Sequence, residues 1–214
     1  MLPLRQTLQS ITKAKLIPVM LTCAVLAILS IGLLATAITW SAGHLISIKT
    51  PWLDSGVNFL IGILAGIGGW FILPIFTELI AGMFVEQVID KVERAQYPNT
   101  VRQQPPKFWP DFKHDVQFTL WALLLNLLVL PLYFFGIGFI ISILLNSYLL
   151  GTEFFENAAG YHVGKSEAKK LRKMNSKTAY AGGLLITLLT LIPIINLFTP
   201  IFAIVLMVHI YKKL

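Results

Sequence analysis

Apolar positions gather into four long runs, at 16–40, 57–86, 116–150 and 179–211, and nearly all charge lies between them. Leu16 to Trp40 is broken only by Pro18, near its start, and is long enough to cross about 30 Å of hydrocarbon with some tilt. The run from Val57 continues past residue 85 into "EQVIDKVERAQYP", which predicts one helix that extends into water and stops at Pro98. Gly62, Gly66, Gly68, Gly69 and Gly82 on that run permit close helix approach. The third and fourth runs hold 35 and 33 residues. One span needs about 20 residues, and two need about 40 plus a turn. Both runs also break near the middle, at "VLPLYFFGIGF" with Pro131, Gly136 and Gly138, and at "LTLIPIINLFTP" with Pro193, Asn196 and Pro200. Each half is a helix of roughly 12–15 residues, the length of a re-entrant segment. The pattern therefore predicts an all-α polytopic membrane protein in one domain, 1–214. It has two long transmembrane helices and two Pro/Gly-broken hairpins, re-entrant or short and tilted.

Charge fixes the direction. Hydrophobic residues make up 56% of the chain and charged ones 13%, with a mean hydropathy of +0.75. A soluble domain carries about a quarter charged residues, so a soluble fold is excluded. Seventeen Lys and Arg face ten Asp and Glu. This excess marks loops against anionic lipid rather than a nucleic-acid surface. If the first two runs cross and the last two each return to the side they left, 16 of the 17 basic residues share one side, Lys49 excepted. A single straight crossing at 116–150 would place the cluster from Lys165 to Lys177 outside, against the positive-inside rule. The chain is thus expected to turn back at Pro193–Pro200, with both termini, the loop 87–115 and the basic segment 151–178 cytoplasmic. Arg5, Lys13 and Lys15 followed by an apolar run, with "ATA" at 35–37, mimic a signal peptide. A signal core is usually about 7–15 residues, so an uncleaved span is expected. The single cysteine, Cys23, excludes a disulfide within the chain and reads as a small buried or lipid-facing residue. Irregular backbone at a hairpin tip is tolerated only where protein covers it or a wet cavity receives it, so a pore or a homo-oligomer is expected.

Polar residues inside the runs are the functional candidates. Glu78 is ionisable and lies on the second run, either within the membrane or near its cytoplasmic face. Asn126 and Asn146 suit interhelical hydrogen bonds, and Asn196 suits a hairpin turn. "GTEFFENAAGYHVG", 151–164, brings Glu153, Glu156, Asn157 and His162 into quick succession, but their spacing fits no zinc pattern. "SEAKKLRKMNSK", 166–177, reads as a basic helix capped by Ser166, lying on anionic lipid or drawing anions toward a pore. His44, His114 and His209 are scattered and read as interfacial. No nucleophile elbow, phosphate loop, dinucleotide glycine pattern or His-Glu-x-x-His occurs, so no catalytic residue, metal or cofactor is expected.

The arrangement, with "LLGTEFFENAAGYHVG" and "GGLLITLLTLIPIINLFTPIFA", resembles the CysZ-type sulfate permeases, a grouping that also contains the etoposide-induced protein of the endoplasmic reticulum. Gly151, Glu153, His162, Leu171, Arg172, Gly182, Ile192, Pro193, Asn196 and Pro200 carry the resemblance. So do Gly82, Glu86 and Gln87 of "AGMFVEQVIDKVE", and "PLYFFGIG" as a hairpin turn. The resemblance implies a bacterial inner-membrane protein, oligomeric, with partly penetrating hairpins, that admits sulfate for cysteine synthesis. It further implies that a basic pair before the first span contributes to sulfate binding; Lys13 and Lys15 are the nearest basic residues here. With Arg172 they are expected to form a cytoplasmic mouth, since the runs hold no basic residue and backbone N–H groups would serve the anion deeper in. The rival reading is a non-transporting membrane scaffold or assembly protein.

Overall fold

The structure, a computed structural model, describes residues 2–45, 55–57, 59–60, 62–63, 76–100 and 108–214. These are helical throughout, without a strand among the described residues. Of the span predicted over 57–86, residues 58, 61 and 64–75 lie outside them. Helix α1 (Leu4–Lys13) precedes α2 (Ile17–Leu45). Helical residues 76–83 (α3) lead into α4 (Val85–Gln96). Then come α5 (Phe108–Val129), a 3-10 turn (Leu130–Phe135) and α6 (Gly138–Val163). Helices α7 (Lys165–Met174), α8 (Ser176–Thr190), α9 (Pro193–Asn196) and α10 (Thr199–Tyr211) complete the chain.

Among the described residues, Ile17–Ser41, Lys113–Phe135 and Gly138–Val163 are long and apolar enough to cross a membrane. The third run does break where its prolines and glycines lie. Gly136 takes a left-handed φ of 74°, which a side chain would strain, and closes the turn. Its limbs are longer than the expected 12–15 residues, at 22 and 26, because the polar ends 108–115 and 151–163 continue the helices. The segment expected to begin at 151 therefore begins at Gly164 (φ 79°), which ends α6 and opens α7. Ser166 lies inside α7 and does not cap it. The helix expected to run on from the second span instead breaks at Phe84 (φ −104°, ψ 1°). That break lets α4 lay Val88, Ile89 and Val92 against α10 and α1 rather than extend into water.

The fourth run folds as its pattern predicts. Ile192 is extended before Pro193, as steric clash with a proline ring requires. Helix α8 then packs back along α10: Gly182 faces Met207 and Ile210 near one end, and Ile186 and Thr190 meet Thr199 and Pro200 at the other. Limbs of 15 and 13 residues span only about 20 Å. The tip sits beside Asn146 and Leu150, partway along α6. Asn196 does not take left-handed geometry; it ends α9, and the turn is completed in right-handed backbone at Leu197 and Phe198.

Burial sorts the helices. Helix α10 is apolar on every side and is enclosed by α1, α4, α6 and α8. The apolar stretch of helix α5 leaves Leu120, Trp121, Leu123, Leu124 and Leu128 exposed, a surface suited to lipid. Leu16, just before α2, and Val19, Cys23 and Ala27 on its first turns are buried as one stripe. The tightest contact is the α6–α8 crossing. A Cβ on Gly183 would lie 2.0 Å from the Ser147 carbonyl oxygen, and one on Gly151 2.5 Å from that of Ala179. By contrast, a Cβ on Gly82 would meet nothing within 4 Å.

Gly183→Ala must push two helix backbones apart, so it is expected to destabilise the fold by about 3 kcal/mol or more. Gly82→Ala is expected to stay within about 1 kcal/mol of the parent, toward greater stability. Thermal unfolding in detergent, followed by size exclusion, separates the two.

Candidate functional site

Three polar features interrupt the packed helices. The first gathers both ends of the chain. His209, buried in the last turn of α10, sets Nε2 2.7 Å from Ser10 Oγ on α1 and Nδ1 2.7 Å from the Tyr97 hydroxyl just after α4. Each ring nitrogen has a partner, so the neutral imidazole is satisfied in either tautomer. Burial raises the Tyr97 phenol above its ordinary range, and the Glu93 carboxylate adds to this, so the hydroxyl keeps its proton. Glu93 itself is fully buried. Its Oε1 lies 2.5 Å from His162 Nε2 and 2.9 Å from Lys212 Nζ, and Lys212 Nζ lies 3.3 Å from His162 Nε2. Glu93 Oε2 accepts no hydrogen bond among the described residues.

The second is a cavity of about 290 Å³ lined by Tyr148 and Thr152 of α6, Arg172 of α7, and Ser176, Lys177 and Tyr180 of α8. Arg172 is only 7% exposed. Its Nε donates to Glu156 Oε1 at 2.9 Å, and its guanidinium lies 5.5 Å from the centre of the Tyr148 ring. The other Glu156 oxygen is 3.3 Å from His114 Nε2, which spreads the negative charge over two partners. Helix α8 starts at this cavity without a side-chain cap, and the Asn175 Nδ2 donates to the Leu171 carbonyl. The N–H groups of Thr178 and Ala179 return to the Asn175 oxygen. Those of Ser176 and Lys177 precede the helical ladder and are the kind of donors that receive an anion.

The third is a cavity of about 180 Å³ between α3, α6 and the tip of the α8–α10 hairpin. Its polar lining is Glu78, Asn146, Thr190, Asn196 and Thr199. Glu153, one helical turn below Leu150, interacts electrostatically with Glu78. Both threonine hydroxyls donate to nearby backbone, Thr190 to Thr187 O within α8 and Thr199 to Ile195 O of α9.

The family model described as sulfate transporter CysZ/etoposide-induced protein 2.4 matches residues 4–200. The chain belongs to this family. Comparison with curated proteins and with solved structures finds no match.

Within this CysZ/etoposide-induced protein chain, the residues singled out in the sequence fall into different places. Glu78, Asn146, Asn196 and Pro200 converge on the smaller cavity, with Glu153 beside it. Arg172 and Gly151 line the larger one. His162 belongs to the Glu93–Lys212 cluster, and Pro193 opens α9. Lys13 and Lys15 are exposed around the α1–α2 turn, where Lys15 takes a φ of 51°, and they line neither cavity. Asn126 donates to Ala122 O of its own helix rather than across helices. Glu86 is exposed on the first turn of α4. His209 is buried and doubly bonded, and His114 is turned onto Glu156. The side chain of His44 lies outside the described residues. Glu93, Lys177, Gly183 and the Ser10–His209–Tyr97 chain were not foreseen. Val88, Ile89 and Val92 at helical spacing do place Glu93 on the buried face, one turn past Ile89.

Glu93→Ala would leave His162 and Lys212 without their buried carboxylate, at a cost of about 3–5 kcal/mol. The double variant Glu93→Ala, Lys212→Met should recover part of this loss. Chemical or thermal unfolding of the detergent-solubilised chain measures both.

Proposed function

We propose that this protein carries a small tetrahedral oxyanion, sulfate, across the bacterial inner membrane, and that the cavity between α6, α7 and α8 is its cytoplasmic binding site. The observation that carries this reading is the meeting, in one cavity, of Arg172, Lys177 and the uncapped start of α8. Tyr148, Thr152, Ser176 and Tyr180, each bearing a hydroxyl, also line this mostly apolar cavity. A planar guanidinium, a mobile ammonium and free backbone N–H groups together supply the charge and the donors that a desolvated sulfate needs. Membership of a family described by sulfate transport supports the choice of anion. The smaller cavity is a poor rest for the same ion, since the Glu78 carboxylate would repel it.

The topology we propose puts α1, α4, α7 and the C-terminus on the cytoplasmic side. The hydrogen bond from α1 to α10 and the Glu93–His162–Lys212 cluster support it, because they draw the segments before the first run, after the second and after the third to the end of α10. The short α8–α10 limbs support partial penetration of that hairpin, whose tip would then lie within the bilayer. The exposed apolar face of α5 suits lipid or a second copy of the chain.

The test is uptake of radiolabelled sulfate by liposomes holding the purified protein. Saturable uptake is expected, with the half-saturating concentration raised about tenfold by Lys177→Gln and by Arg172→Lys, which keeps the charge but loses the fork. Loss of uptake in a Lys13→Ala, Lys15→Ala double variant alone would move the site to the α1–α2 turn. No uptake above empty liposomes, from folded and inserted protein, would sink the transport reading and leave the scaffold.

A further inference from the structure

We infer that the cavity at the tip of the α8–α10 hairpin is a binding site for a small monovalent cation, sodium. Its polar lining offers five groups with oxygen atoms: the Glu78 carboxylate, the amides of Asn146 and Asn196 through their carbonyl oxygens, and the hydroxyls of Thr190 and Thr199. Among the described residues, no Lys, Arg or His lines it. Asn196 is only 8% exposed, faces this cavity and makes no side-chain hydrogen bond among the described residues. Glu78 and Asn146 also make no side-chain hydrogen bond there, so three oxygen-bearing groups from α3, α6 and α9 converge on one cavity with nothing to bind.

Helix ends set the sign of the guest. Helix α8 finishes at Thr190 on the cavity wall, so the negative end of its dipole faces inward. Helix α10 begins there too, but Pro200 removes one of the N–H donors that would favour an anion. Glu78 brings to the wall a carboxyl group that can carry negative charge. A volume of about 180 Å³ holds a small ion with several waters at about 30 Å³ each. Hard oxygen donors of this kind take hard cations, and one lining carboxylate among neutral oxygens matches a single positive charge. Broken helices at membrane depth commonly present such sets to sodium.

The site is tested without sulfate, so its failure and that of the anion reading are separable. Full-length protein in lipid nanodiscs is titrated with radioactive sodium at fixed pH, with choline chloride holding ionic strength. Saturable binding is expected, displaced by lithium and not by choline. Glu78→Gln, close in shape, and Asn196→Ala should each weaken it roughly tenfold to a hundredfold. Should Asn196→Ala fail to fold, Asn146→Ala replaces it with the same expectation. Binding no greater than in empty nanodiscs overturns the inference. So does binding equal in parent and Glu78→Gln, or a cavity that responds to pH while ignoring sodium, which would make it a proton store.

Discussion

The contact on which the rest depends is the passage of α8 over α6 at Gly183 and Gly151. Lipid tails are as apolar as leucine, so helices in a membrane gain little by merely covering one another. They hold together by close backbone approach, and here a Cβ at position 183 would fall 2.0 Å from the Ser147 oxygen. The crossing presses the α8–α10 hairpin against α6 and fixes how far along α6 its tip can reach. Both cavities flank the same crossing. Tyr148, Gly151 and Ala179 belong to the one with Arg172, and Asn146, Leu150 and Ile186 belong to the one with Glu78. Moving the crossing by a helical turn would dismantle both.

At the polar end a different force holds the fold. Buried ion pairs contribute little net stability but are costly to break. Glu93 shared by His162 and Lys212, and Glu156 shared by Arg172 and His114, therefore act as registers rather than as glue. Each joins segments far apart in sequence, and each fixes which face α4 or α7 turns inward. The Arg172–Glu156 pair also governs chemistry. By anchoring Nε, it aims the guanidinium across Tyr148 and holds it at the mouth of the larger cavity.

Much of this was legible in the sequence because membranes punish ambiguity. Run lengths, Pro193, Pro200 and Gly136 marked the helices and breaks, since no other residues interrupt an apolar helix so reliably. Glu78, Asn146 and Asn196 were visible as polar exceptions, although nothing in their spacing shows that a hairpin tip brings them to one cavity. What escaped reading was tertiary. The basic segment 166–177 has the composition of a solvated surface helix, and only the fold shows that Arg172 turns inward onto a carboxylate sixteen residues earlier. Lys13 and Lys15 stood out by charge alone, and charge does not reveal that α1 packs its Thr7 and Ser10 face against α10 while both lysines stay exposed.

The separation of charge between the two cavities has an energetic meaning on the proposed reading. A divalent anion entering a compartment held at negative potential works against about 2.3 kcal/mol per charge per 100 mV. Positive charge at a cytoplasmic cavity lowers the well but does not change the sum of the journey. An anion nearing the hairpin tip would also meet the carboxyl groups of Glu78 and Glu153, which repel it when ionised. Neutralising those carboxylates removes that barrier, and a cation that moves inward with the anion also offsets the field. A site that collects positive charge at the tip and one that collects negative charge beside the α8 start, both set by one helix crossing, thus form a physically consistent pair.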